Sequence, residues 1–430
     1  MQIDEPPENA LPEQAIITTP DSAVQRWQHS WSVLRHRNYA LLFWGQLISS
    51  TGTQMQIVAV AWQVFLLTHS AIALGLIGLF QAVPRIIFSL VGGMFADEFD
   101  RRRLLLVIQI ALAALSAVLA LCTLFHVINM FIIYAVVLVA ASVSAFDFPT
   151  RQAIIPNLIP RERLADAMLL YMAMIQLTGI VGPTVGGFVI AWLGLANTYW
   201  IDVISYAVAI GSLLFMTVPP IPAEKRTQAG FHALIDGMGF LRTQPVILAV
   251  ISLDFFATFF GSPLSLLPIF ASNILHVNAQ GLGILLAADS IGAVALTPLT
   301  GRIGRIARQG LGITLAIIVW GICILAFGLF PVSLWLAALF LAGAGAANMV
   351  SMILRFLVIQ IVTPDEFRGR ISSVNAMFAF GGPLLGQLES GLVASFTSPQ
   401  ISVIGGGIAC IIATLTIVAL VPNLLRVQIK

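Results

Sequence analysis

Seven ionisable residues stand inside long apolar runs of this 430-residue chain: Arg85, Asp147, Asp202, Asp254, Asp289, Arg355 and Glu389. A charge removed from water is costly, so each needs a partner, a cavity or a task. Asp147 precedes Arg151 by four residues, a spacing that places both on one helical face and predicts a local ion pair. Asp202 falls near a predicted span end, where water is close, and a capping or packing role is expected. Asp254 and Arg355 lie at similar estimated depths, ~10–14 Å from one membrane face at 1.5 Å per residue. A lone buried charge is worse than a pair, so the two are expected to meet, as a structural pair or around a substrate. Asp289 and Glu389 have no basic neighbour in sequence. With Asp254 they are candidates to carry a proton; the competing role for the lone two is a neutral hydrogen bond at a helix contact.

Uncharged polar residues recur at helical spacing beside these charges. Gln46, Ser50, Thr53 and Gln54 share one face, Asn348, Ser351 and Arg355 another, and Asp254, Thr258 and Ser262 a third. Facing lipid, such stripes would be wasted. They either line a substrate cavity or hydrogen-bond helix to helix. The candidate cavity set is Gln46, Thr53, Gln54, Asp254, Thr258, Asn348, Ser351 and Arg355.

The elements that must hold these residues are set by composition. Apolar residues make up 59% of the chain and charged residues 9%. A folded surface that meets water needs roughly 25% charged residues, so a water-soluble fold is excluded. A net charge of +2 gives no footprint for nucleic acid. Three cysteines, Cys122, Cys323 and Cys410, all lie in apolar runs, which rules out a disulfide scaffold. No Walker-type phosphate loop, His-Glu-x-x-His or Gly-x-Ser-x-Gly occurs, and all six histidines fall in predicted loops or ends. Neither enzyme chemistry, metal nor cofactor is expected.

Apolar segments of about 20 residues, each long enough to cross ~30 Å of hydrocarbon, recur from Tyr39 onward. They number twelve: about 39–66, 72–96, 103–125, 129–149, 166–192, 198–218, 245–270, 280–300, 309–330, 333–361, 371–396 and 400–421. Each must be helical, because backbone groups in lipid need internal partners. Of the 21 Lys and Arg, only Arg85 and Arg355 fall in the interior of a span, Arg103 standing at the start of the third. All others lie in the two ends or in loops 2–3, 4–5, 6–7, 8–9 and 10–11. Positive loops stay on the cytoplasmic side, so both termini are expected there.

The predicted organisation is a cytoplasmic tail at 1–38, a six-helix bundle at 39–218, a connector at 219–244, a second bundle at 245–421 and a tail at 422–430. Trp27, Trp31 and Leu34 beside Arg26, Arg35 and Arg37 are consistent with an interfacial helix or with an ordinary tail. No apolar stretch follows a basic start, so no cleavable signal is expected.

The halves echo each other. Gly182-Pro183-Thr184-Val185-Gly186 in span 5 returns 200 residues later as Gly382-Pro383-Leu384-Leu385-Gly386 in span 11. Duplicated membrane halves mark transporters. The loop after span 2 carries Gly93, Asp97, Arg101 and Arg102, with Glu98 and Asp100 as departures, and resembles the loop 2–3 signature of the major facilitator superfamily. Loop 4–5, with Pro149, Arg151, Ala153, Pro156 and Pro160, and loop 10–11, with Pro364, Arg368, Gly369 and Arg370, resemble the bacterial enterobactin-exporter and macrolide-efflux branch. Gly179, Gly182, Pro183, Gly186 and Gly187 resemble the span 5 motif of drug–proton antiporters, with close helix packing as the alternative role.

The resemblance implies an all-α fold of twelve transmembrane helices in two pseudo-symmetric bundles. It implies secondary active efflux of a small hydrophobic or amphipathic molecule (drug, macrolide or siderophore), coupled to protons, by a monomer in the bacterial inner membrane. Gly93, Asp97, Arg101 and Arg102 would then latch the halves together; otherwise the arginines only fix topology. A solute uptake permease of the same fold, or a membrane sensor or scaffold, is the alternative.

The topology makes a direct prediction. A cysteine at His69, Asn129 or Asn278 is expected to react with an impermeant thiol reagent applied to intact cells, and one at Arg102, Lys225 or Arg305 is not. Labelling at Arg305 from outside would break the twelve-span order.

Overall fold

The structure is a computed structural model that describes residues 31–98, 100–217, 239, 241, 243–364 and 367–427. The side chains of residues 89–98, 368, 369 and 373 lie outside the description. So do the proposed interfacial stretch up to Ser30 and nearly all of the connector.

Twelve helical spans follow one another among the described residues. They are α1 (Arg37–Thr68), α2 (Ala71–Glu98), α3 (Arg101–Leu124), α4 (Met130–Ser144), α5 (Leu164–Leu193) and α6 (Leu195–Phe215), then α7 (Pro245–Phe260), α8 (Ala279–Ala295), α9 (Gln309–Leu329), α10 (Leu334–Val362), α11 (Arg368–Phe396) and α12 (Pro399–Leu420). Loops at one end of the molecule hold no Lys or Arg, and we call that end the neutral face. Uncharged side chains cap helices there: Asn129 starts α4, Asn278 α8, Ser333 α10 and Ser398 α12, each accepting a backbone N–H. The opposite, basic face carries Asp100, which accepts from the Arg102 and Arg103 amides and starts α3.

Three predicted spans are interrupted. Span 4 bends after Ser144 and resumes as a short helix, Asp147–Ile154. Span 7 stops at Phe260, passes Gly261-Ser262-Pro263, and continues through 3-10, α and π turns to Ile274. Pro263 has no N–H to extend the ladder, and its ring clashes with the preceding turn. Pro298 likewise ends regular α8 before a short helix at Thr300–Ile303.

Among the described residues, ten helices are long and apolar enough to cross a membrane by length and composition. The other two spans, α1 and α11, are 32 and 29 residues long and owe their polarity to groups used inside the protein. Apolar side chains cover the outside, with Phe131 86% and Phe396 85% exposed, a surface suited to hydrocarbon.

α1, α3, α5 and α6 pack together, with α2 and α4 alongside. α7, α9, α10, α11 and α12 form a second group, which α8 joins through α10. The two groups meet mainly where α2 packs on α11 and α5 on α8.

Glycines explain why the backbones come so close. Gly75 lies against Gln387, Leu388 and Gly391, and Gly78 against Leu384 and Gln387, bringing α2 onto α11. Gly187 lies against Ala279, Gln280 and Gly283, and Gly283 against Pro183, bringing α5 onto α8. Both clasps sit in the halves of these helices nearer the neutral face. Gly182 and Gly186 turn the other way, onto Gln54 and Met55 of α1, and Gly382 and Gly386 turn onto Thr258 and Phe259 of α7. The repeated Gly-Pro motif therefore does the same job in each half: it seats a helix on the first span of its own bundle.

A side chain at Gly187 or Gly75 would meet backbone atoms of the opposite group, which cannot move alone. Gly187→Leu and Gly75→Ala are expected to lower thermal stability, by roughly 1–3 kcal/mol as overpacked contacts do. Gly211→Ala, which faces open space inside α6, should match or exceed wild type. Equal melting of all three variants would remove the clasp.

Candidate functional site

Arg355 Nη1 stands 2.7 Å from Asp254 Oδ1, joining α10 to α7 across the second group. The side chains are 8% and 9% exposed. The contact is an ion pair by distance, but Nη1 makes no hydrogen bond of acceptable angle. One turn earlier on α10, fully buried Ser351 has an Oγ with no hydrogen-bond partner. Asn348, a further turn back, is half-buried. This face of α10 therefore presents a cation against Asp254 and, one turn along, an orphan hydroxyl, groups able to bind more than each other.

Thr258 of the α7 stripe is used locally. Thr258 Oγ1 donates to the carbonyls of Asp254 and Phe255, and the residue packs against Gly382. Thr258 thus contributes to the α7–α11 seam.

The α1 stripe also divides. Gln46 Nε2 donates to Ser50 Oγ at 2.6 Å, while Gln46 Oε1 is buried without a partner. Thr53 Oγ1 pairs with Tyr206 Oη of α6 at 2.9 Å and with the Ser49 carbonyl. Gln54 packs on Gly182. Thr53 and Gln54 are therefore helix-contact residues, the alternative that the spacing left open.

A second polar face of α1 carries more of the structure. Ser49 Oγ donates to Gln109 Oε1, Gln56 Nε2 to Ser116 Oγ and Gln63 Nε2 to Thr123 Oγ1, at 3.1, 2.7 and 2.9 Å. The rungs recur every seven residues on both helices, as two parallel helices in register require. α6 completes the ladder through Tyr199 Oη, which donates to Gln63 Oε1, and Asp202, whose Oδ2 meets Ser116 Oγ. Asp202 is fully buried, not water-capped near a span end, and Ser205 also approaches it. The seven-residue polar spacing on spans 1 and 3 was visible in the sequence and would have found this ladder.

At the basic face the Asp147–Arg151 pair closes at 2.6 Å, and Gln109 Nε2 reaches Asp147 Oδ1 at 3.4 Å. Arg101 Nη1 donates to the Ala153 carbonyl, and Arg102 Nε and Nη2 donate to the carbonyls of Leu213 and Leu214. Arg102 thus satisfies the last turn of α6, as a basic side chain at a helix C-terminus does. Gly93 and Asp97 fall where side chains lie outside the description, so the latch they were expected to form is not part of the geometry above.

Asp289 and Glu389 make no hydrogen bond or ion pair among the described residues. The Asp289 backbone lies against Gly345, where α8 touches α10. Among the described residues, no group of three His, Cys, Asp or Glu side chains gathers as a metal site would need.

The profile of the transmembrane secretion effector family matches residues 28–426. The enterobactin exporter EntS of Citrobacter koseri is 26% identical over 403 residues, covering 94% of this chain and 96% of that protein. EntS of Escherichia coli O81 is 26% identical over 404 residues with the same coverage. Among solved structures, a bacterial homologue of the human lysosomal transporter Spinster, inward-facing and unoccupied, superposes with a TM-score of 0.69 at 17% identity. It covers 92% of this chain and 99% of its own. An inward-facing bacterial homologue of the iron transporter ferroportin gives 0.71 at 13% identity, covering 90% and 98%. These likenesses carry the fold.

Removing one member of the buried pair strands the other. Asp254→Asn and Arg355→Gln are each expected to lose ~3–5 kcal/mol of stability, and the double variant to recover part of it. A double-mutant cycle of melting temperatures in detergent measures the coupling. Additive losses would mean that the two charges do not support each other.

Proposed function

Because the chain belongs to the transmembrane secretion effector family of the major facilitator superfamily, we propose that it exports a siderophore-like amphipathic molecule in exchange for protons. It is an integral membrane transporter, not an enzyme. The observation that carries the finer statement is the buried Asp254–Arg355 pair with unpartnered Ser351 Oγ beside it. A substrate that places a hydrogen-bond donor on the Asp254 carboxylate, with Arg355 balancing the charge, holds that carboxylate deprotonated. A proton that takes the carboxylate weakens this contact and releases the substrate. Proton and substrate then exclude each other at Asp254, which is the coupling an antiporter needs.

The two groups of helices, 39–218 and 245–421, would rock as bodies about this centre. The glycine clasps on α2/α11 and α5/α8 would part as the neutral face opens. Asp289 and Glu389 supply alternative proton carriers, both without a cationic partner among the described residues. Asp97, Gly93, Arg101 and Arg102 would steady the basic face. A monomer suffices for this cycle, placed in the cytoplasmic membrane with both termini inside. An apolar composition and few buried charges favour export of an amphipathic molecule over sugar uptake.

Proteoliposomes test the proposal. With an inward-acidic gradient across vesicles of sidedness fixed by labelling, a catechol siderophore is expected to move uphill and to stop on adding an uncoupler. Asp254→Asn, once incorporated at wild-type level, should retain downhill exchange and lose the response to the gradient. Uphill movement that ignores the uncoupler would remove proton coupling; none at all for siderophore, macrolide or dye would remove the substrate assignment.

A further inference from the structure

Arg85 is the intramembrane cation that the exchange above does not use. It stands 14 residues into α2, about 21 Å from the start of that helix and about 20 Å from its end at Glu98. It is half-buried, and it makes no hydrogen bond or ion pair with a described residue. Its direction follows from the burial pattern of α2. Ile72, Val83 and Ile87 are exposed and mark the lipid side. Arg85 is two residues, or about 200°, from Val83, and seven residues, or two turns, from Gly78, which lies on α11. The guanidinium therefore leaves α2 on the protein side.

The register between helices fixes what shares its level. Ile86 lies opposite Gly381, and the adjacent Gly382 lies against Phe255 and Thr258 of α7. Arg85, the bare Gly381–Gly382 surface and the Asp254–Phe255 turn thus occupy one layer of the molecule. Aromatic rings surround that layer. Phe148 meets Phe380 across the two groups of helices at 6.3 Å between ring centres, and Phe255 meets Phe378 at 5.6 Å. Phe148 and Phe380 remain 39% and 45% exposed, so neither ring is fully covered by other parts of the protein.

Charge in this layer does not balance. Asp254 is taken by Arg355, and Asp147, next to Phe148, by Arg151. Glu389 lies seven residues beyond Gly382, about 10 Å along α11, and Asp289 lies against Gly345, ten residues or about 15 Å from Arg355 along α10. Neither reaches Arg85. A guanidinium that faces away from lipid, without a carboxylate among the described residues, at the level of exposed phenylalanine rings, lacks only an anion. Its fork suits a carboxylate or a pair of adjacent phenolate oxygens, and the rings suit an aromatic body.

We propose that Arg85 receives the anionic group of the transported molecule, and that this molecule is an aromatic acid whose ring lies against Phe148 and Phe380. The inference rests on the export proposal for its substrate and narrows that substrate to one charge and one shape.

Equilibrium binding tests it on the purified full chain in lipid nanodiscs, with 2-hydroxybenzoate and its neutral amide, 2-hydroxybenzamide, as probes. Wild type is expected to prefer the anion by roughly tenfold or more, as one charge-assisted contact confers. Arg85→Gln is expected to abolish that preference, and Arg85→Lys to keep part of it. Equal affinities in wild type, no binding of either probe, or an intact preference in Arg85→Gln would each overturn the assignment. Should Arg85→Gln not fold, wild type and Arg85→Lys decide: the preference must be present in the first and weakened in the second. The titration needs no gradient and no transport, so failure of the export proposal shows separately, as absent uphill movement by wild type.

Discussion

Hydrocarbon offers no water to a polar group, so each polar side chain within the spans must be met by another part of the protein. The ladder of Ser49–Gln109, Gln56–Ser116 and Gln63–Thr123 is what that constraint produces when two helices run parallel. The ladder lets α1, a span polar enough to look unfit for a membrane, sit among α3, α5 and α6 with its polar edge inward. It also buries Asp202, because α6 brings that carboxyl to Ser116 at the middle rung. The first group of helices is tied together by side-chain bonds of this kind.

The second group uses a different solution. Its first span is broken at Gly261-Ser262-Pro263, and its polar contacts gather near the break: Ser265 with Ser390, and Ser402 with the Ser390 carbonyl. Its single described ion pair, Asp254 with Arg355, joins α7 to α10, helices that otherwise touch little. Two bundles related by duplication thus join their polar groups differently. The first is laced along its length by hydrogen bonds. The second carries one buried charged contact, and a contact that one proton can undo is a suitable place for a transporter to change state. The two bundles are then held to each other by glycine clasps, whose bare backbones bind by shape alone and can separate without stranding a charge.

Much of this was legible in the sequence. Apolar length and the alternation of basic loops require twelve helices. The 200-residue repeat of Gly-Pro-x-x-Gly identifies two equivalent halves, and the i,i+4 spacing of Asp147 and Arg151 requires their pair. Depth along a helix is a simple multiple of residue count, so Asp254 and Arg355 were expected at one level. All of these follow from periodicities that a chain cannot hide.

Direction around each helix, and which helix stands beside which, came only from the tertiary structure. Thr53 and Gln54 share a face with Gln46 in sequence, yet one bonds to Tyr206 and the other seats on Gly182, because α6 and α5 flank α1 on either side. Asp202 was placed near water by its distance from a span end, and α1 and α3 cover it. The sequence counted Arg85 as a costly intramembrane charge; the register of α2 against α11 put it in one layer with Gly381, Phe255 and the Asp254 pair. A linear chain determines how deep a residue lies and which side of its own helix it occupies. What faces that side depends on neighbours far away in sequence, and those are chosen by the packing of glycine against backbone across the two halves.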